Sequence, residues 1–262
     1  MHTLTVIRTY LRLGILNVMQ YRADFFLQVV SIALTLTTAL LGFAVIFGQT
    51  ENVGGWTHTD LVLLIGIQML VRGLISLVMR PSMQQLMEGI RLGTLDFMLT
   101  KPADSQLLAS VAQVNVAASA DVLAGISVLT YALIQLGGAI GPEEAVGFVI
   151  VLLAGVTIIY AFLLILSTCA FWFVKLDNIM VIFNTMFENA GAWPITIFPG
   201  WMRVSLTFDV PIAFAVTIPA QSLTGRLTPG LAAGAVGLAL ALSVAARWFW
   251  GVGLKHYTGA SA

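Results

Sequence analysis

Long uncharged stretches alternate with short polar connections along most of this chain. About 20 apolar residues suffice to cross a bilayer as a helix, because each helical residue adds about 1.5 Å and the hydrocarbon core is about 30 Å thick. The pattern predicts six transmembrane helices, at 25–48, 61–79, 106–137, 145–174, 179–198 and 229–250. We therefore expect an all-α integral membrane protein that forms a single domain over residues 1–262.

The charges of the connections predict the orientation of these helices. Connections 49–60 and 137–144 carry acidic residues and no Lys or Arg, whereas connection 80–104 and the end of the chain are basic. Because basic loops remain on the cytoplasmic side of a membrane, we expect 80–104 and both termini to be cytoplasmic. Arg203 and Arg226 fall on the expected outer side and weigh against this orientation.

Two regions do not resemble simple spans. In residues 1–24, apolar positions at helical spacing alternate with arginines, which predicts an interfacial helix whose charged side chains reach the headgroups. The alternative is that this stretch begins the first span. Prolines and glycines interrupt 199–227, which favours short re-entrant or interfacial helices before the last span. If that segment crossed the membrane, there would be seven spans.

The composition agrees with a lipid environment and argues against several functions. Hydrophobic residues make up 59% of the chain and charged residues 9%, with a mean hydropathy of +0.96, whereas soluble domains are about 25% charged. The formal net charge of zero gives no reason to expect nucleic-acid binding. The sequence has neither a nucleotide-binding phosphate loop nor a His-Glu-x-x-His motif, and Cys169 is its single cysteine. We expect no catalytic, cofactor or metal site in this chain.

Four charged residues fall at or near membrane depth, and they are Arg72, Asp121, Glu188 and Asp209. Such residues are rare, because each costs about 2.5–3.5 kcal/mol at the centre of a helix on insertion scales. Arg72 could pair with Asp121 or with Glu188, and the sequence does not distinguish the two. The four residues either line a path for a transported substrate or join helices structurally.

Connection 80–104 is the most informative polar segment. Its sequence RPSMQQLMEGIRLGTLDFMLTKP holds five charged residues, two glycines and two prolines between membrane-length apolar stretches. This pattern predicts a short amphipathic surface helix with defined ends. From the pattern alone, the helix either contacts a partner in water or rests on the bilayer.

Part of this connection, EGIRLGTLDFMLTKP, resembles the segment after the second span in ABC-2-type permeases of ATP-binding-cassette transporters, especially the small six-span bacterial group. The family pattern R-x-G-T-L-D-x-x-L-x-K-P is matched by Arg91, Gly93, Thr94, Leu95, Asp96, Leu99, Lys101 and Pro102. The segments FWFVKLDNI (171–179) and PGWMRVSLTFDVPIAFAVTIPAQSLTGRL (199–227) are also similar to this group.

The resemblance implies that the chain is the membrane subunit of an exporter in the bacterial inner membrane. A coupling helix in 80–104 would dock on a separate ATPase subunit, which would bind the ATP and Mg. Glu88, Arg91 and Asp96 would make charged contacts, and Leu95 and Phe97 apolar ones. A second permease chain, identical or related, would complete the substrate path.

Two other functions remain open from the residues alone. Asp121 and Glu188 would also suit a secondary carrier driven by an ion gradient, although the repeated halves typical of such carriers are absent from the sequence. A membrane scaffold without transport activity is equally compatible with the apolar composition.

Overall fold

A computed structural model describes residues 22–137, 140–173 and 177–257, with the side chains of 22–24 and 177 excepted. This part of the chain is almost entirely helical. The α-helices are α1 (Arg22–Phe47), α2 (His58–Leu74), α3 (Arg80–Arg91), α4 (Asp96–Leu99), α5 (Ser105–Ser110), α6 (Ser119–Gln135), α7 (Pro142–Thr168), α8 (Asp177–Ala190), α9 (Gly200–Phe208), α10 (Ile212–Ala215), α11 (Thr217–Leu223) and α12 (Pro229–His256).

Five helical stretches are long and apolar enough to cross a membrane, and the bent pair formed by 200–223 would make a sixth. The five are Phe25–Phe47, His58–Arg91, Val116–Gln135, Pro142–Phe171 and Pro229–His256. The expected all-α integral membrane fold is confirmed. Nearly all of the expected interfacial helix over 1–24 lies outside the described residues.

The second span does not end at Arg80, where the sequence predicts a boundary. Its helix continues for 34 residues from His58 to Arg91 through a π-helical turn at Ile75–Met79. Pro81 has no backbone N–H to donate to the carbonyl of Leu77, four residues earlier, and prolines usually interrupt helices for this reason. Here the N–H of Asn115 donates to that carbonyl at 2.8 Å. The π turn and this external donor allow the helix to pass through Pro81.

The third span begins at Val116 and not at 106, as the sequence predicts. Helix α5 ends at Ser110, and residues 111–115 have no regular structure. This segment bonds to the preceding long helix instead, because the Ser82 hydroxyl donates to the Gln113 carbonyl at 2.9 Å. A 3₁₀ turn at Val116–Ala118 precedes α6, so the span is about one turn longer than α6 alone.

The expected span at 179–198 is not one continuous helix. Helix α8 contains 14 residues and ends at Ala190. Pro194 and Pro199 follow it, and α9 is bent by 70° relative to the 212–223 stretch. The predicted short helices before the last span are present as α9, α10 and α11.

Contacts along α7 fix where this irregular segment ends. A Cβ on Gly155 would collide with the backbone of Phe214 and Ala215, so α10 lies directly against the middle of α7. The Ser222 hydroxyl donates to the carbonyl of Glu144 in the first turn of α7, at 3.1 Å. From Phe214 to Ser222 the chain therefore runs along α7, from the middle of that helix to its N-terminal end.

These contacts define two sides of the protein. The chain leaves α1 and enters α2 on one side of the protein, and it leaves α6 and enters α7 on the same side. The start of α12 lies on this side too. At the opposite side Phe171, after α7, meets Trp250 of α12, with ring centroids 5.8 Å apart. Phe171 and Ser222 therefore lie on opposite sides of the part of the protein that the structure describes.

Three glycines join α2 closely to α6. A Cβ on Gly66 would lie 2.7 Å from the Leu129 nitrogen, and one on Gly73 would lie 2.6 Å from the Val122 nitrogen. A Cβ on Gly125 would collide with the backbone of Leu70. Small residues of this kind allow helix backbones to approach closely in membranes. The two helices therefore form a fixed pair at the centre of the fold.

Candidate functional site

An ion pair bridges the α2–α6 contact inside the membrane-spanning part of the chain. Arg72 Nη2 lies 2.5 Å from Asp121 Oδ1, and the two side chains are 18% and 3% exposed. The Gln28 amide of α1 donates to the other Asp121 oxygen at 2.6 Å. Both carboxylate oxygens are thus satisfied, which is what burial of a charge requires. The structure selects Asp121 over Glu188 as the partner of Arg72.

A polar cavity of about 330 Å³ adjoins this ion pair. Its walls come from α1, the π turn of the second span, the start of the third span and α8. The lining comprises Gln28, Ser31, Ile32, Thr35, Arg72, Ser76, Arg80, Asn115, Ala118, Asp121 and Glu188. Three of the four predicted intramembrane charges therefore meet at one place. Asp209 does not line the cavity, because it lies at the break between α9 and α10.

The 88–101 surface is the second candidate site, and it lies where the long second-span helix ends. We define it by its exposed residues, which are Glu88, Arg91, Leu92, Thr94, Phe97, Leu99, Thr100 and Lys101. Gly93, with φ of +70°, turns the chain after α3 in a backbone region that glycine enters freely. The short α4 then folds back, since Leu95 N–H donates to the Gly89 carbonyl at 3.2 Å.

Two apolar side chains dominate the 88–101 surface. Phe97 is 76% exposed and Leu92 is 57% exposed. Glu88 and Arg91 stand beside them, with Arg91 Nη2 3.9 Å from Glu88 Oε1. An aromatic side chain among charged groups is typical of a protein-binding surface.

Leu95 and Asp96 differ from the other predicted contact residues. Leu95 is 2% exposed and packs in the main hydrophobic core, so we remove it from the proposed contact surface. The helical spacing of this segment turns Leu95 inward and Phe97 outward. Asp96 is half-buried, and it faces Tyr257 after the last span. Burial, and then the negative charge of Asp96, raise the pKa of Tyr257.

Side chains of α12 hold the segment that follows this surface. Arg247 donates to both carboxylate oxygens of Asp104, at 2.6 and 3.0 Å. The Trp250 indole donates to the Ser105 hydroxyl at 3.2 Å. The sequence does not predict these contacts, because residues 143 and 145 positions apart in the chain carry no local signal of their pairing.

A third long-range ion pair lies on the side of the protein opposite the 88–101 surface. Arg226 Nη2 is 2.8 Å from Asp60 Oδ2, and its guanidinium lies 4.7 Å from the centre of the Trp56 ring. Asp60 also accepts from the Thr57 N–H and so caps α2. Arg203 donates to the carbonyls of Thr196 and Phe198. The two arginines that seemed to oppose the predicted orientation therefore have specific structural partners.

Comparison with known proteins identifies the class to which this fold and its polar sites belong. A family model described as "ABC-2 family transporter protein" matches residues 33–261. No curated protein and no solved structure matches the chain significantly. Because the match covers most of the sequence, this chain belongs to the ABC-2 transporter family. It is a multi-pass transmembrane subunit of an ATP-binding-cassette transporter.

Proposed function

We propose that this chain forms half of the membrane path of an ATP-driven exporter and that separate ATPase subunits act on its 88–101 surface. The observation that carries the proposal is Phe97, which is 76% exposed among charged residues and lies outside the five long apolar helices. Truncation of a few aromatic and arginine residues usually accounts for most of the binding energy lost at an interface. Phe97 and Arg91 are therefore the two residues that we assign to ATPase binding.

The geometry supports transmission of force from this surface into the membrane. Glu88 and Arg91 belong to the same 34-residue helix as Arg72, because no break separates α3 from the second span. Movement of the surface would thus move the ion pair and one wall of the polar cavity. The contacts of Asp104 and Ser105 with α12 connect the same region to the last span. A rigid displacement of this kind is a common basis of alternating access.

A second permease chain would complete the path. Ser31, Thr35 and Glu188 line the polar cavity yet are exposed on α1 and α8. Polar and charged groups at membrane depth normally face protein or water and not lipid tails. This exposure supports an assembly in which a second chain, identical or related, covers α1 and α8.

The proposed orientation places the 88–101 surface and the end of α12 in the cytoplasm of a bacterial cell. The basic residues Arg80, Arg91 and Lys101 on this side support it. With Cys169→Ala as the background, a cysteine in place of Thr94 should react with an impermeant maleimide only after the inner membrane is opened. A cysteine in place of Glu51, which is exposed in the connection before α2, should react in intact spheroplasts. The reverse result would exclude docking of a cytoplasmic ATPase on this surface.

Co-purification tests the partner directly. A tagged chain is co-expressed with an ATP-binding-cassette ATPase subunit from the same genome, and the ATPase retained after detergent extraction is quantified. We expect Phe97→Ala and Arg91→Ala each to reduce retention about tenfold or more, the loss typical of an interface hot spot. Trp201→Ala is the matched control, because Trp201 is 75% exposed but lies in α9. Full retention and normal transport by the Arg91→Ala, Phe97→Ala double variant would refute the assignment.

A further inference from the structure

The polar cavity contains two charges of each sign, which are not equivalent. Arg72 and Asp121 form an ion pair, with Nη2 2.5 Å from Oδ1. The Gln28 amide donates a hydrogen bond to the second Asp121 oxygen. Arg80 and Glu188 also line the cavity, but no nitrogen of Arg80 lies within 4.0 Å of a Glu188 oxygen. The cavity therefore presents one guanidinium and one carboxylate that are separated from each other.

Arg80 and Glu188 lie in different parts of the cavity wall. Arg80 is eight residues beyond Arg72, or about 12 Å further along the helix toward the 88–101 surface. Glu188 is exposed on α8, and Ser31 and Thr35 are exposed on α1. Asn115, ahead of the third span, is exposed as well. A ligand can therefore reach the cavity beside Asn115 and along the face of α1 and α8, where the proposed second chain would pack.

The charge pattern discriminates among ligands. A simple anion would be attracted by Arg80 but repelled by Glu188, and a simple cation would meet the opposite combination. An uncompensated charge is costly in a medium of low dielectric constant. A ligand that carries one anionic and one cationic group leaves neither protein charge unpaired.

We propose that this cavity binds the zwitterionic headgroup of an amphiphile that carries a phosphate and a primary ammonium group. The planar guanidinium of Arg80 suits a phosphate, to which it can donate two parallel hydrogen bonds. Glu188 accepts from the ammonium group. A volume of about 330 Å³ is at the lower end for ligand pockets, which suits a headgroup better than a whole lipid.

The apolar tail of such a ligand has a neighbouring surface to follow. On the same two helices, Leu34 of α1 is 64% exposed and Ile182 of α8 is 58% exposed. The headgroup would thus be held at the polar cavity while the tail stays against apolar side chains. If the chain is an exporter, as proposed above, this amphiphile is its cargo; binding itself does not depend on that function.

Binding is measured on the purified full chain without any ATPase, so that failure of ATPase docking cannot affect the result. Native mass spectrometry follows retention of dioleoyl phosphatidylethanolamine and dioleoyl phosphatidylglycerol added in equal amounts. We expect retention to favour phosphatidylethanolamine by about tenfold, the equivalent of one charged hydrogen bond. Glu188→Gln should abolish this preference, and Arg80→Gln should weaken retention of both lipids.

Asp209→Asn is the matched control, because Asp209 is an exposed carboxylate outside the cavity, and it should retain the preference. Glu188 is exposed, so its substitution tests the site even if Arg80→Gln does not fold. Displacement of the lipid by free phosphoethanolamine would show that the headgroup alone is recognised, and failure of displacement would show that the tail contributes. Equal retention of the two lipids by the unmodified chain, or a preference that survives Glu188→Gln, would overturn the proposal.

Discussion

Arg247 in the last span and Asp104 ahead of α5 form an ion pair with two hydrogen bonds, of 2.6 and 3.0 Å. The same guanidinium donates to Gln106 at 3.0 Å. The side chains are 57% and 45% exposed, so solvent limits the contribution of the pair to about 0.2–1 kcal/mol. Its main effect is geometric, because it fixes the segment after the 88–101 surface against α12.

This pair predicts a pH-dependent stability. The hydrogen bond from Arg247 is the largest cause that lowers the pKa of Asp104. A carboxyl group with a depressed pKa stabilises the folded state above its unfolded pKa of about 4, and this stabilisation is lost as the pH falls through the folded value. Asp104→Asn should therefore melt at a lower temperature than the unmodified chain at pH 7, and the difference should vanish at lower pH.

Melting in detergent at several pH values measures this difference. Arg247→Gln should also lower the melting temperature, and the double variant should lose less than the sum of the two single changes, since both remove the shared ion pair. The losses need not be equal, because Arg247 also donates to Gln106 and Asp104 also caps α5. Additive losses from the two single changes would contradict the pairing.

Loss of the buried Arg72–Asp121 ion pair should lower the stability more than loss of the Arg247–Asp104 pair. Asp121→Leu would leave the guanidinium of Arg72 without its partner, which typically costs about 3–5 kcal/mol. The double change Arg72→Met, Asp121→Leu should recover most of this loss, because apolar residues of similar size can replace a buried pair. Thermal denaturation followed by size-exclusion chromatography compares the three variants. A double variant as unstable as Asp121→Leu would show that the pair has a further essential contact.

Close packing of α2 on α6 gives an independent prediction. In Gly125→Val the added side chain would meet the backbone of Leu70, and overpacking of this kind costs about 1–3 kcal/mol. The control is Gly237→Ala, since a Cβ there would meet nothing within 4 Å. We expect a lower melting temperature and reduced membrane yield for the first variant alone. Equal stability of the two variants would contradict the proposed close contact.

Much of the fold could be predicted from the sequence, because uncharged stretches of membrane length report burial in lipid directly. The helix through Pro81 could not, since it depends on the N–H of Asn115, which is distant in the chain. The segment 177–223 was only partly predictable. Its prolines indicate breaks, but its path depends on contacts such as that of Phe214 with Gly155.

The candidate sites show the same division. Charge in an apolar sequence was enough to single out Arg72, Asp121 and Glu188, because unpaired charges at membrane depth are rare. The choice of Asp121 as partner needed the three-dimensional structure. Leu95 was predicted to contact the ATPase, yet its side chain is buried. The sequence does not reveal this burial, because a one-turn helix has too few residues to define an apolar face by periodicity.

Site-specific photocrosslinking tests the central claim, that an ATPase subunit contacts the 88–101 surface. The photoreactive residue p-benzoylphenylalanine is introduced in place of Phe97 or, as the control, in place of Trp201, and the complex is irradiated in membranes. Our account predicts a crosslink between position 97 and the ATPase subunit and none from position 201. A folded, membrane-inserted chain that never crosslinks to the ATPase through position 97, or that does so through position 201 instead, would contradict it.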